Sequence, residues 1–187
     1  MGRIEELAEH FGRHIALPWE RGVAGAQRVV MLVYDKETER TLRARKQLFV
    51  TAVESAGHDW HEIDLTETFA EWMANDEYRD AYFESPDDLG LKLDTEFAEI
   101  VANKIRARLT AAEVTDNSVV GLFGVGSLFG FVRISQVLRL IERDIRGRLV
   151  VFFPGQYEQN NYRLLDARDG WNYLATPITH AGNHVAR

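Results

Sequence analysis

From Ser118 to Ser135 the chain reads Ser-Val-Val-Gly-Leu-Phe-Gly-Val-Gly-Ser-Leu-Phe-Gly-Phe-Val-Arg-Ile-Ser, where glycines, a hydroxyl and a cation could together hold a phosphate. Backbone N–H groups at a glycine turn that opens a helix favour anions, because they are unpaired and carry the positive end of the helix dipole. Gly121 and Gly126 have the outer spacing of the phosphate loop G-x-x-x-x-G-K-[ST]. Ser127, however, stands where the lysine belongs, and Leu128 where the magnesium-binding hydroxyl belongs. Gly124 and Gly126 begin a G-x-G-x-x-G pattern whose third position is Phe129, too bulky for close helix–strand approach. A serine nucleophile elbow, G-x-S-x-G, would need glycines at Val125 and Phe129. The bend has the shape of a ligand loop without its reactive groups, and Ser127 reads as the N-cap of the next helix. Gly124, Gly126 and Ser127 are candidate ligand-binding residues, joined by Arg133 on the first turns of that helix. A guanidinium beside Phe131, Val132 and Ile134 needs an anionic partner. That partner is a ligand, another protein, or a carboxylate such as Asp35, Asp64 or Asp169.

Asp35 and Asp64 close two further apolar stretches and could share a magnesium ion, which prefers carboxylate oxygens; the simpler reading is that they cap the following turns. Neither histidine pair makes a convincing metal site. His58 and His61 flank a strand start, where side chains three apart point to opposite faces, and His180 and His184 surround Gly182, which disfavours a helix. With no cysteine, thiolate zinc sites, disulfides and cysteine nucleophiles are excluded. Neither a metal nor a cofactor is expected.

The elements that must position these groups follow from periodicity. Residues 3–16 form an amphipathic helix with Ile4, Leu7, Ala8, Phe11 and Ile15 on one stripe, suited to the protein's own sheet or to a partner. Arg28–Asp35 is a near-continuous apolar run, as in a parallel strand covered on both faces. A helix from Glu37 to Ala56 follows, capped by Gly57 and carrying Arg40, Arg43, Arg45 and Lys46. Residues 60–65 read as a second strand. Residues 68–112 are helical, broken at Pro86, with Asp94 or Thr95 capping the second part. This connection is longer than an ordinary crossover, so part of its aromatic-rich surface is available for binding. The glycine-loop strand is third, Arg148–Pro154 fourth and Asn172–Ile178 fifth. A polar connector from Gly155 to Trp171 holds a short helix or reverses the chain.

The fold expected is a three-layer α/β sandwich with a mainly parallel sheet of about five strands, P-loop-NTPase-like or flavodoxin-like but lacking a functional phosphate loop. Asp35, Asp64, Gly124–Gly126 and Pro154–Gly155 then share the carboxyl edge of the sheet, where binding crevices open. At 187 residues the chain suits a single domain, with a helix and linker over 1–25, a core over 28–178 and a flexible tail over 179–187. A net charge of −7 disfavours direct nucleic-acid binding, leaving only Arg40–Lys46 as a basic patch. No apolar run approaches the roughly 20 residues of a membrane span. The acids near the N-terminus are unlike a signal peptide, so a cytoplasmic protein is expected.

One ordered set of motifs is more specific than any single one. It comprises Val33-Tyr-Asp35, Gly57-His-Asp-Trp-His-Glu-Ile-Asp-Leu65, Glu71-Trp-Met73 and Tyr82-Phe83 in the first half. Gly124–Ile134, Phe152-Phe-Pro-Gly155 and Asn161-Tyr-Arg-Leu-Leu-Asp-Ala-Arg-Asp-Gly-Trp-Asn-Tyr173 follow in the second. Together they resemble the BrxB family, the small component of BREX bacteriophage-exclusion systems, from about Arg28 to Ile178. The resemblance implies an antiviral role beside a DNA methyltransferase (PglX), a large ATPase (BrxC) and an alkaline-phosphatase-superfamily protein (PglZ). It carries over no catalytic residues. It implies a non-catalytic adaptor that binds PglZ, with BrxC as a further candidate partner. A nucleotide- or phosphate-ligand sensor is the alternative. Tyr157, Asn160, Asn161, Tyr162, Arg163, Arg168 and Trp171 in the polar connector are the candidate partner-binding residues, with the N-terminal helix beside them, because aromatics and arginines suit interface hot spots.

Overall fold

Val29–Tyr34 is buried at every position, and a strand of that kind needs cover on both faces. The computed structural model, which describes residues 2–183, places this strand, β1, inside a mostly parallel sheet. The helices are α1 (Arg3–Ile15), α2 (Glu39–Ala44), α3 (Gln47–Ser55), α4 (Thr68–Ala74), α5 (Arg79–Glu84), α6 (Gly90–Lys92), α7 (Ala98–Leu109) and α8 (Ile134–Ile141). The other strands are β2 (Asp59–Asp64), β3 (Ser118–Phe123), β4 (Arg148–Glu158), β5 (Asn161–Leu164), β6 (Thr176–Thr179) and β7 (Gly182–Asn183). Spatial order is β2-β3-β4-β1-β6-β7, with β5 paired to the far end of β4. Strands β2, β3, β4, β1 and β6 are mutually parallel, while β5 and β7 are antiparallel additions. Because β1 lies between β4 and β6, the order is not the flavodoxin one, 2-1-3-4-5.

Alternating residues of the central strands send side chains into two cores. Val30, Leu32, Val150 and Phe152 meet α1, α2 and α3 through Phe11, Leu42, Phe49 and Val53. Met31, Val33, Val151 and Phe153 meet α4, α7 and α8 through Trp72, Phe97, Ile105 and Leu138. Helices therefore cover both faces, as a three-layer sandwich requires. The stripe Ile4, Leu7, Ala8, Phe11 and Ile15 is buried on this sheet, so the apolar face of α1 is unavailable to a partner. No helix among the described residues is long and apolar enough to cross a membrane.

Several local expectations change. The helix expected over 37–56 is a 3₁₀ turn followed by α2 and α3, separated at Arg45–Lys46. Asp94 and Thr95 are not caps. They lie in a π-helical stretch, Leu93–Phe97, that runs into α7, and the Thr95 hydroxyl donates back to the Leu91 carbonyl (2.8 Å). Of the two alternatives for the connector the chain takes the reversal: β4 continues through Glu158, turns at Gln159–Asn160, and returns as β5. The fifth parallel strand is Thr176–Thr179 rather than 172–178, since Trp171 instead bridges to Tyr162. The tail expected to be flexible from residue 179 begins as a hairpin, with Thr179 paired to Gly182; residues 184–187, and with them His184, lie outside the described residues.

Candidate functional site

Each parallel strand ends at the same edge, and the loops leaving those ends enclose a cleft of about 300 Å³. Lys36, Glu39 and Arg43 come from the chain after β1, Thr66 from that after β2, Gly124–Ser127 from that after β3, and Pro154 and Leu165 from the β4–β5 hairpin. Asp64, the last residue of β2, lies behind this lining and bonds to two of its residues, Arg43 and Thr66. One carboxylate oxygen accepts from the Arg43 guanidinium (2.6 Å), and the other accepts from the Thr66 amide (3.0 Å) and hydroxyl (2.5 Å). Arg43 also donates to Glu39 (2.7 Å), which in turn accepts from the buried Tyr34 hydroxyl (2.5 Å). Burial alone would push the Asp64 carboxyl up; the bonds from Arg43 and Thr66 outweigh it and hold its pKa at about 2. The bond to Asp64 leads the effects that raise the Arg43 guanidinium above its ordinary value. For Tyr34, burial first and the Glu39 carboxylate second push the phenol up.

Gly124 makes this arrangement possible. It adopts left-handed backbone geometry (φ 79°), and a Cβ there would lie 2.5 Å from the Asp64 oxygen and 2.6 Å from the Thr66 nitrogen. The glycine turn then enters a short 3₁₀ segment, Val125–Leu128, not a helix. Ser127 is accordingly no N-cap: its amide donates to the Gly124 carbonyl (3.1 Å), and α8 starts only at Ile134. Phe131 lies before α8 and does not belong to it. It is covered instead by stacking on Phe69 of α4, with ring centroids 3.9 Å apart.

The ligand candidates separate. Gly124, Gly126 and Ser127 line the cleft, and Asp64 braces its wall. Asp35 does not join Asp64; it accepts from Arg3 of α1 at 2.5 Å. Arg133 is the exposed N-cap residue of α8, outside the cleft lining, and no carboxylate among the described residues pairs with it. Its sequence setting among apolar residues suggested burial, but only Val132 and Ile134 turn inward. The cations that do reach the cleft are Lys36 and Arg43. Lys36 is paired with Asp166, which folds back from beyond the β4–β5 hairpin. These two partners are 130 residues apart, so no local spacing could have revealed the pair. Applying the carboxyl-edge rule to the residues just past each strand would have found Lys36 and Thr66.

Three cations of the basic run are similarly committed, Arg43 to Glu39 and Asp64, Arg45 to Glu5, and Lys46 to Glu62 (2.6 Å), while Arg40 is exposed with no ion pair among the described residues. His58 stacks on Trp19 (3.7 Å between centroids) and bonds Asn117 through Nδ1 (2.7 Å), while His61 lies within β2.

The seven connector residues also divide. Tyr162 is fully buried, its hydroxyl donating to the Ala175 carbonyl (3.3 Å), and Trp171 packs edge-on against Phe153. Both hold the hairpin to the core; Tyr162 offers no contact surface of the kind expected of it, while Trp171 is half-buried. Asn160, Asn161, Arg163 and Arg168 are exposed, and the half-buried Tyr157 donates to the Asn160 side chain (3.1 Å).

A mostly parallel sheet with helices on both faces and a cleft at its carboxyl edge defines a three-layer α/β protein, here with its cleft cations paired internally. The particular family follows from comparison with known proteins. The model of the family described as BREX protein BrxB matches residues 61–178, and the chain belongs to this family. Membership makes it a component of a BREX phage-defence system, acting among other BREX proteins. No curated protein and no solved structure matches the chain.

Proposed function

We propose that this chain is a non-catalytic adaptor that joins PglZ to other components of the BREX assembly, BrxC being a second candidate partner. One observation carries the reading. Every charged side chain lining the cleft is engaged by another side chain of the same molecule: Lys36 by Asp166, and Glu39 and Arg43 by each other, with Asp64 and Tyr34 completing the network. A site built to bind and release a charged substrate keeps such groups free or poised, because breaking a hydrogen-bonded charge pair to bind something else is costly. Ser127 has no imidazole or carboxylate bonded to it among the described residues, and a serine hydroxyl without a base is a weak nucleophile. The exposed hairpin residues Asn160, Asn161 and Arg163, with Arg168 just beyond them, form one contact surface of the adaptor, arginine being among the types enriched at interface hot spots. Size-exclusion chromatography of the chain co-produced with PglZ tests this. Co-elution at micromolar concentration is expected, and separate elution overturns the PglZ assignment. Turnover of a nucleoside triphosphate, abolished by Ser127→Ala, overturns the non-catalytic reading.

The cleft favours one second reading, a sensor of nucleotide or phosphate ligands, since Lys36, Arg43 and the Ser127 hydroxyl converge on about 300 Å³. A ligand binding only the folded state adds about 2.7 kcal/mol of stability at a hundred times its dissociation constant. A thermal-shift panel of nucleotides and inorganic phosphate distinguishes the two, and a panel without shifts removes the sensor.

A further inference from the structure

Strands β2 and β3 are neighbours, yet the chain between them makes an excursion that their connection does not need. Residues 77–91 run from the end of α4 through α5 and a 3₁₀ turn into α6. The excursion is pinned at its root: Lys92 pairs with Asp76 (2.5 Å) and Glu96 (3.8 Å), and its ammonium lies 5.1 Å from the Tyr82 ring centre. Leu89 is also buried in the core shared with Trp72 and Phe97, and Tyr82 packs against that core, while three other large apolar side chains remain in water. Tyr78, Phe83 and Leu91 are 59%, 68% and 85% exposed, the last the most exposed large apolar side chain described. Around them stand Glu77, Asp80, Glu84, Asp87 and Asp88 against the single cation Arg79, a net −4 of the chain's −7. Glu77, Glu84, Asp87 and Asp88 have no ion pair among the described residues.

These features select the occupant. Three large apolar groups in water within one short excursion mark a surface that is covered in its working state. A second copy of this chain meeting it face to face would bring two such charged surfaces together, and nucleic acid or an anionic membrane would be repelled. A single cation does not satisfy the apolar groups, and no set of three carboxylate or histidine side chains among the described residues converges on one. We infer that residues 77–91 dock a basic amphipathic segment of another protein, its apolar residues on Tyr78, Phe83 and Leu91 and its lysines or arginines on the surrounding carboxylates. The inference rests on the adaptor reading and extends it: an adaptor needs two surfaces, and this acidic, apolar one differs chemically from the polar, arginine-bearing hairpin.

The test uses the full chain, tagged and co-produced with the other proteins of its defence locus, with capture measured at rising sodium chloride. The wild type is expected to retain a subunit whose capture weakens as salt rises, because exposed charge pairs are screened. Phe83→Glu with Leu91→Glu should reduce that capture at least tenfold. The neutral variant Glu84→Gln, Asp87→Asn, Asp88→Asn should flatten its salt dependence, a change that misfolding does not mimic. Arg163→Ala with Arg168→Ala should leave it intact. If the wild type captures a subunit that both excursion variants retain with unchanged salt dependence, this inference is overturned and the adaptor reading stands. If the wild type captures no subunit, both are overturned.

Discussion

At the scale of single residues, Asp64 shows how the cleft is held. Its native carboxyl is the stronger acid, about 2 against an ordinary 3.8, so between those values the unfolded chain binds the additional proton. The stabilisation it contributes is complete above 3.8 and disappears as pH falls toward 2. The side chain is 48% exposed, so solvent screening keeps that contribution small. Asp64→Asn should therefore flatten the acid limb of stability, comparing urea denaturation near about pH 5 with about pH 2.5. An unchanged slope would show that Asp64 is not held as described. The two glycines of the bend separate in the same way. Gly124→Ala sets a Cβ against Asp64 and Thr66 in left-handed geometry and should cost at least about 2 kcal/mol. Gly126→Ala meets Pro154 Cγ at 3.4 Å and Leu165 Cδ2 at 3.7 Å, both ordinary contacts, and should stay within about 0.5 kcal/mol of the wild type by denaturant titration. Both glycines were equally visible in the sequence as a ligand-loop pattern. What was invisible is that one of them serves Asp64, whose partners lie 21 and 2 residues away.

At the scale of elements, legibility followed burial. Strands β1 and β3 were readable because every residue is covered on both faces, and α1 because its stripe keeps helical spacing. Of the β4–β5 hairpin only the reversal of the chain was readable, as one of two alternatives. Its turn, Gln159–Asn160, holds left-handed geometry (φ 50° and 63°) without the glycine that usually announces it, and Tyr157 opposite Tyr162 reads as polar connector rather than as a cross-strand pair. The excursion between β2 and β3 was visible as surplus length, but its anchor was not, because Lys92 and Asp76 meet across 16 residues that hold α5 and a 3₁₀ turn. Removing that anchor should loosen the excursion alone. In Lys92→Met, amide hydrogen exchange across residues 77–91 should accelerate several-fold while β1 and β4 keep their protection. Acceleration shared equally by the strands would mean that Lys92 supports the whole fold and not this segment.

At the scale of the whole molecule, the sheet makes two cores into one cooperative structure. Phe11 lies in the core beneath α1 to α3 and Phe97 in the core beneath α4 to α8, both fully buried. Neighbouring residues of one strand, Leu32 and Val33 or Phe152 and Phe153, point into different cores, so neither side can lose its cover without exposing strand residues that hold the other. A large-to-small change on either side removes about 3–5 kcal/mol, a substantial share of the 5–15 kcal/mol that stabilises a domain. Phe11→Ala and Phe97→Ala should therefore each lower the denaturation midpoint for both faces together. Trp60 reports the first core and Trp72 the second, and either can be isolated by replacing the other three tryptophans with phenylalanine. Coincident fluorescence transitions are expected from the two reporters in each variant. Should Phe11→Ala release Trp60 well before Trp72, the α1 layer unfolds independently, and the sheet does not couple the faces as its alternating register requires.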